Sequence, residues 1–241
     1  MVDLKKDVKY VKGVGPNRVK LLNRLNIYTL EDLITYFPRE HEDRSIPRYI
    51  SEVADGEEVL IKAIVVSRMS EIRVRRGMTM YKLVVRDETG TCTITWFNQS
   101  YLKNRFKTGN TYLFYGKVHN KFGKIEMNNP VYDDDGSTRN TGKIIPLYPL
   151  TYELTQNVIR KIIENALKEV DDLEETLPDY IVNKYNVCDY NSAIHKIHFP
   201  DNFEEYNKAR KRLVFEELLS MQLALLNLKN KYHIEENRNC F

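Results

Sequence analysis

The sequence predicts an α+β chain. A small helical segment covers residues 1–50, a five-stranded β-barrel covers 51–150, and a helical region covers 151–241. Three observations carry this reading. Apolar residues recur at helical spacing near both ends, the middle is built of short β-rich runs, and a tight Asp87-Glu88-Thr89-Gly90 turn joins two of those runs.

Residues 8–37 read as two short helices. Thr29 suits the N-cap of the second, and Asp32 three residues later gives a capping-box-like arrangement. Leu30, Leu33, Ile34 and Phe37 recur at helical spacing, and Pro38 stops the helix. Residues 39–50 read as a charged loop containing Pro47. Strands are expected at 59–66, 79–86 and 91–97, then a short helix at 99–106. A fourth strand follows at 111–118, a turn at Asn120-Lys121-Phe122-Gly123, and a fifth strand at 124–127. Three strands, one helix and two strands is the order of the OB-fold, a five-stranded barrel. A small barrel of another topology remains open at this point.

Beyond the barrel, Asp133-Asp134-Asp135-Gly136-Ser137 reads as a turn or flexible acidic loop, and 144–149 as extended. From Thr155 the pattern is helical, with Val158, Ile159, Ile162, Ile163, Ala166 and Leu167 on one face. Leu177-Pro178 breaks it, and 202–232 is a long helical candidate.

At 241 residues the chain has room for one or two domains, and its 42% hydrophobic content is enough for a core. Its composition excludes collagen-like, disulfide-scaffold and fully disordered classes. The longest mostly apolar stretch, 218–228, is interrupted by Ser220, Gln222 and Asn227 and falls short of the ~20 residues of a membrane span. The N-terminus has no apolar signal-peptide core. Cys92, Cys188 and Cys240 are widely spaced and odd in number, which suggests reduced thiols in a cytoplasmic protein.

The formal charge of +3 hides an asymmetry. Residues 68–124 hold twelve Lys/Arg against three Asp/Glu, whereas 131–241 hold fourteen against nineteen. A basic middle suggests a surface shaped for a polyanion; a solvated face on an ordinary domain is the alternative.

Lys12-Gly13-Val14-Gly15-Pro16 precedes the first helix. Glycines in a tight turn let backbone N–H groups approach a phosphate at a helix N-terminus, as in helix-hairpin-helix elements. A plain helix–helix turn fits equally. In Trp96-Phe97-Asn98-Gln99-Ser100-Tyr101, strand alternation turns Trp96 and Phe97 to opposite sides, so one belongs to the core. Phe97 and Tyr101 are four apart and can point the same way if a helix starts at Phe97. Aromatic faces at a barrel mouth suit unpaired bases; both rings lying in the core is the other reading. Arg73, Arg75 and Arg76 fall in the loop joining strands one and two, a ligand-contacting loop of this fold. The candidate nucleic-acid contacts are Phe97, Tyr101, Arg73, Arg75 and Arg76, with Lys103 and Arg105 from the basic run and Gly13 and Gly15 from the turn.

Enzyme signatures fail. The nearest approach to a phosphate-binding Walker A, Gly136 to Lys143, has five residues between its glycines and Ile144 in place of the hydroxyl residue. Asp171-Asp172-Leu173-Glu174-Glu175 lacks a preceding apolar strand and reads as a solvated loop. His195 and His198 lack a third ligand and read as surface or core histidines. No catalytic or metal-ligating residue is expected in this chain, and no cofactor.

Nearly the whole chain resembles the N-terminal part of the RecG family of bacterial ATP-dependent DNA helicases. The resemblance is carried, in order, by Val11-Lys12-Gly13-Val14-Gly15-Pro16, by 22–33, by Tyr36-Phe37-Pro38-Arg39 with His41-Glu42-Asp43-Arg44, and by Phe97-Asn98-Gln99-Ser100-Tyr101-Leu102. It continues through 144–150, Ile197-His198-Phe199-Pro200 and 209–218. It implies a wedge domain on an OB-fold that binds replication forks and Holliday junctions during recombination and repair. Wedge aromatics that stack on unpaired bases map onto Phe97 and Tyr101; Trp96 replaces the more usual second phenylalanine beside Phe97. It further implies motor domains in cis, using ATP and Mg²⁺, beyond this piece, which alone is expected to lack ATPase activity. The rivals are a stand-alone single-strand-binding barrel, an RNA-binding appendage of a translation enzyme, and a protein-interaction scaffold built on the last helix.

Overall fold

In the computed structural model, the described residues are 3–121, 123–137, 141–170 and 172–238. Cys240, Phe122 of the expected turn, Asp171 of the acidic run and part of the stretch from Gly136 to Lys143 lie outside them. Among the described residues nine strands run in order: β1 (Glu40–Arg44), β2 (Glu58–Val65), β3 (Ser70–Arg75), β4 (Met78–Arg86), β5 (Thr91–Phe97), β6 (Thr111–Lys121), β7 (Lys124–Asn128), β8 (Val131–Asp134) and β9 (Lys143–Leu147).

Five of these close the barrel. β2 pairs with β4 and β6, β4 with β5, and β6 with β7, all antiparallel; β5 pairs with β7 in parallel. That circuit is the expected OB-fold. Its inward residues alternate along each strand: Val59, Ile61, Ala63 and Val65 on β2, Tyr81, Leu83 and Val85 on β4, Cys92, Ile94 and Trp96 on β5. Burial in this core pushes the Cys92 thiol up to about 12, which leaves it unreactive. The β4–β5 turn is locked by Asp87, whose Oδ1 accepts from the N–H groups of Thr89 (2.7 Å) and Gly90 (2.9 Å), while Oδ2 accepts from Ile50 (2.7 Å).

Four local expectations are corrected. The loop expected between the first two barrel strands carries β3, which pairs with β4 as a hairpin arm. All six β3 residues are exposed, so no burial alternation marks it in the sequence. The charged loop expected at 39–50 contains β1, which pairs with β9; its Glu-His-Glu-Asp-Arg sequence has no apolar residue to signal a strand. The acidic turn expected at 133–137 begins as β8, hydrogen-bonded to β6. Asp133 is buried and accepts from the Thr141 N–H (2.9 Å) and hydroxyl (3.0 Å). The helix expected at 99–106 is only a 3-10 turn, Ser100–Leu102. Asn98 adopts a left-handed φ of 56° and bends the chain off β5, and the few residues left cannot complete a stable α-helix.

The helices are α1 (Pro16–Asn23), α2 (Leu30–Ile34), α3 (Gln156–Glu169), α4 (Asp179–Tyr185), α5 (Tyr190–His198) and α6 (Phe203–Arg238). α2 carries the anticipated capping box: the Asp32 N–H donates to Thr29 Oγ1 (3.1 Å) and the Thr29 N–H donates to Asp32 Oδ2 (2.9 Å). The sequence divides the helical residues into 1–50 and 151–241. In the structure two compact units emerge, one of residues 41–145 and one of 1–40 with 146–241. Val8, Leu22, Leu30 and Leu33 share one core with Ile159, Ile163, Leu167 and Ile194. His198 is buried in this unit, with Nδ1 2.8 Å from the Tyr148 hydroxyl and Nε2 2.7 Å from the Ile34 carbonyl. Along α6, Leu218, Met221, Leu223, Leu225, Leu226 and Leu228 are each more than half exposed.

Candidate nucleic-acid interface

Trp96 and Phe97 take opposite sides of β5. Trp96 is 1% exposed, stacks on Phe106 with ring centres 5.0 Å apart, and donates its indole N–H to the Pro130 carbonyl (3.2 Å). Phe97 emerges on the outer face, half-buried, with its backbone N–H donating to Asn129 Oδ1 (3.1 Å). The chain then folds back. The Asn98 N–H donates to the Thr79 carbonyl and Asn98 Oδ1 accepts from the Thr79 N–H, both at 2.9 Å.

Tyr101 sits on the 3-10 turn and is 72% exposed, with its hydroxyl donating to Gln99 Oε1 (2.7 Å). Its neighbours Leu102 and Phe106 are buried and anchor that turn to the barrel core. Because Phe97 ends a strand rather than beginning a helix, helical spacing does not align the two rings. What the structure gives instead is one aromatic on the sheet face and one on the turn that follows it. Neither ring is in the core.

The cations divide into two groups. Arg73, Arg75 and Arg76 are exposed on the β3–β4 arm, whose two-residue tip, Arg76-Gly77, is turned by Gly77 at a φ of 79°. The pairing is irregular between Arg73 and Arg75, a bulge that twists the arm. None of the ion pairs among the described residues uses these three arginines. Lys103 and Arg105 are already engaged. Lys103 Nζ lies 2.7 Å from Glu71, which also accepts from the Tyr81 hydroxyl (3.2 Å). The Lys103 ammonium holds the Glu71 carboxyl below its usual range, and Glu71 in turn raises Lys103. Arg105 lies 2.6 Å from Asp134, with its guanidinium over the Tyr132 ring (5.4 Å). These two residues brace the arm and β8, and have less freedom to meet a phosphate.

Gly13 and Gly15 belong to the helical unit. Gly13 has a φ of 94°, which a side chain would strain; Gly15, the N-cap of α1, has an ordinary −93°. The turn is tied down locally. Arg18 donates to the Gly13 carbonyl (2.6 Å), Asn165 to the Lys12 carbonyl (2.7 Å), and the Lys12 N–H to Glu169 (3.4 Å). A Cβ on Gly13 would meet Asn165 Nδ2 at 3.4 Å. These contacts make the turn a docking point on α3.

Among the described residues no group of three His, Cys, Asp or Glu is placed to hold a metal ion, and no helix is long and apolar enough to cross a membrane. The sequence reading missed Met80 and Ile72, which pair in register with Phe97 across β4 and β3. Recognising β3 as a strand would have found them.

A family profile described as RecG wedge domain matches residues 7–170. The ATP-dependent DNA helicase RecG of Thermotoga maritima is 36% identical over 236 residues, covering 95% of this chain and 30% of the relative. That of Bacillus subtilis is 31% identical, covering 89% and 31%. A solved structure of RecG bound to a three-way DNA junction aligns with a TM-score of 0.84 at 34% identity, covering 96% of this chain and 32% of that one. The chain thus spans about a third of the length of these relatives.

Proposed function

Since this chain belongs to the RecG wedge-domain family, we propose that it grips branched DNA and parts the strands where the arms meet. In this reading Phe97 and Tyr101 stack on bases at the branch point, and Arg73, Arg75 and Arg76 hold backbone phosphates. The stacking of each base contributes ~1–3 kcal/mol and is indifferent to sequence, which suits a wedge that must meet any base.

The observation that carries the reading is a half-buried Phe97 and an exposed Tyr101, both outside the core, with an arm of arginines that no ion pair among the described residues engages, within a chain that aligns along 96% of its length with RecG on a junction. The wedge has no energy source of its own. We assign translocation, with its ATP and Mg²⁺, to motor domains in cis outside these residues, in a cytoplasmic helicase of recombination and repair acting on forks and Holliday junctions. Pulling duplex past the wedge then turns translocation into unwinding.

The test is a competition between a three-way junction and a linear single strand for the 241-residue chain. A wedge prefers the junction. A stand-alone single-strand-binding barrel takes both equally, and that result would refute the assignment.

A further inference from the structure

An apolar row crosses three strands on the outer face of the barrel. Ile72 lies opposite Met80, and Met80 lies opposite Phe97. Directly paired residues on neighbouring strands share a face. The adjacent row, Glu71, Tyr81 and Trp96, turns the other way, and its Tyr81 and Trp96 are in the core. Ile72 is 42% exposed, and Met80 and Phe97 are half-buried. With strands ~4.8 Å apart the row runs about 10 Å.

The charge around the row selects its occupant. Lys82 stands two residues from Met80 on the same face, opposite Ser70 and Thr95. Arg75, paired with Met78, lies on this face toward the tip of the arm and Arg76 follows at the tip, whereas Arg73, paired with Thr79, alternates to the other face. No ion pair among the described residues engages any of these four cations. The one carboxylate of β3, Glu71, is in the opposite row and is held by Lys103. An apolar strip edged by cations that no ion pair among the described residues engages matches a strand with planar faces and a charged backbone. It does not match an apolar peptide, which leaves the cations unanswered.

We propose that Phe97, Met80 and Ile72 form a stacking strip that receives unpaired nucleotides of one strand and leads them from the branch point toward the arm. The proposal rests on the junction reading above and adds a path to it. Bases lie against the three apolar side chains, with the flexible Met80 thioether adapting to whichever base is present. Lys82 and the arm arginines neutralise the phosphates.

The test measures binding of the 241-residue chain and its Ile72→Ser, Met80→Ser and Met80→Leu variants. The probes are a linear oligothymidine, a fork with one single-stranded arm, and a three-way junction whose arms are all duplex. Each serine variant should bind the oligothymidine and the single-armed fork several-fold more weakly, while its affinity for the all-duplex junction stays within about two-fold of the original. Met80→Leu keeps the apolar surface and should bind as the original does. Thermal unfolding of each variant separates loss of contact from loss of fold, and Ile72 lies on an exposed strand where a serine is tolerated. Serine variants that bind all three probes like the original would overturn the strip and leave the face open to a protein partner. Equal losses on all three probes would also overturn it. The junction reading is judged separately, from the preference of the unmodified chain among the same probes.

Discussion

Trp96 and Phe97 are adjacent in sequence and opposite in environment, and the difference sets what each substitution should do. Trp96→Ala empties a site packed by Phe106, Phe114 and Tyr132. It should cost about 3–5 kcal/mol of stability, read as a lowered denaturation midpoint. Phe97→Ala removes a half-buried outer ring and should lower the midpoint by less than Trp96→Ala does. It should weaken junction binding by roughly 5- to 100-fold, the range of one lost base stack, and in a full-length helicase separate ATP consumption from unwinding. Undiminished junction affinity in Phe97→Ala would remove the ring from the contact. Alternation along β5 made it legible that Trp96 and Phe97 face opposite sides, but not which of the two is the core residue. The direction of Tyr101 was not legible in the same way. It depends on Asn98 adopting a left-handed conformation, which an asparagine permits but does not require.

At the level of the element, the β4–β5 hairpin is held by one carboxylate. Burial alone would raise the Asp87 pKa, but hydrogen bonds from Ile50, Thr89 and Gly90 together hold it below the usual value. A carboxylate with a depressed folded-state pKa stabilises above its unfolded pKa, and that contribution is lost as pH falls through the folded pKa. Asp87→Ala should therefore cost about 2 kcal/mol at neutral pH, the worth of hydrogen bonds to a charged group. The deficit should shrink on acidification below pH ~4. Urea unfolding of both proteins across that range checks the convergence. The turn was readable because Asp-Glu-Thr-Gly is a turn sequence between two β-rich runs. The β3 arm was not readable, since an arm exposed on both sides has no buried face to impose a period. β1 was hidden for the same reason: its charged residues gain their strand conformation from pairing with β9, a segment about a hundred residues away. Arg75→Glu places a negative charge on the arm outside the core. It should lower fork affinity several-fold without changing the unfolding midpoint. Unaltered fork affinity would take the arm out of the contact surface.

For the whole molecule, the helical residues from both ends form one unit and the barrel forms the other. Composition indicated where helices and strands lie, but not that Leu22 and Ile163 share a core, because long-range packing leaves no mark in local periodicity. The charge asymmetry was readable. Its division into free arginines on the arm and the engaged Lys103 and Arg105 was not, because Glu71 and Asp134 approach them only after β3 and β8 have paired. If the free cations meet phosphates, log affinity for a junction should fall linearly with log salt, with a slope of about −0.9 per phosphate contacted. Arg73→Ala should reduce that slope by about one. The wedge role is tested by the affinity of the unmodified chain for a three-way junction, set against a linear single strand of equal length at the same ionic strength. The chain should bind the junction clearly more tightly. Equal affinity for the two would contradict it.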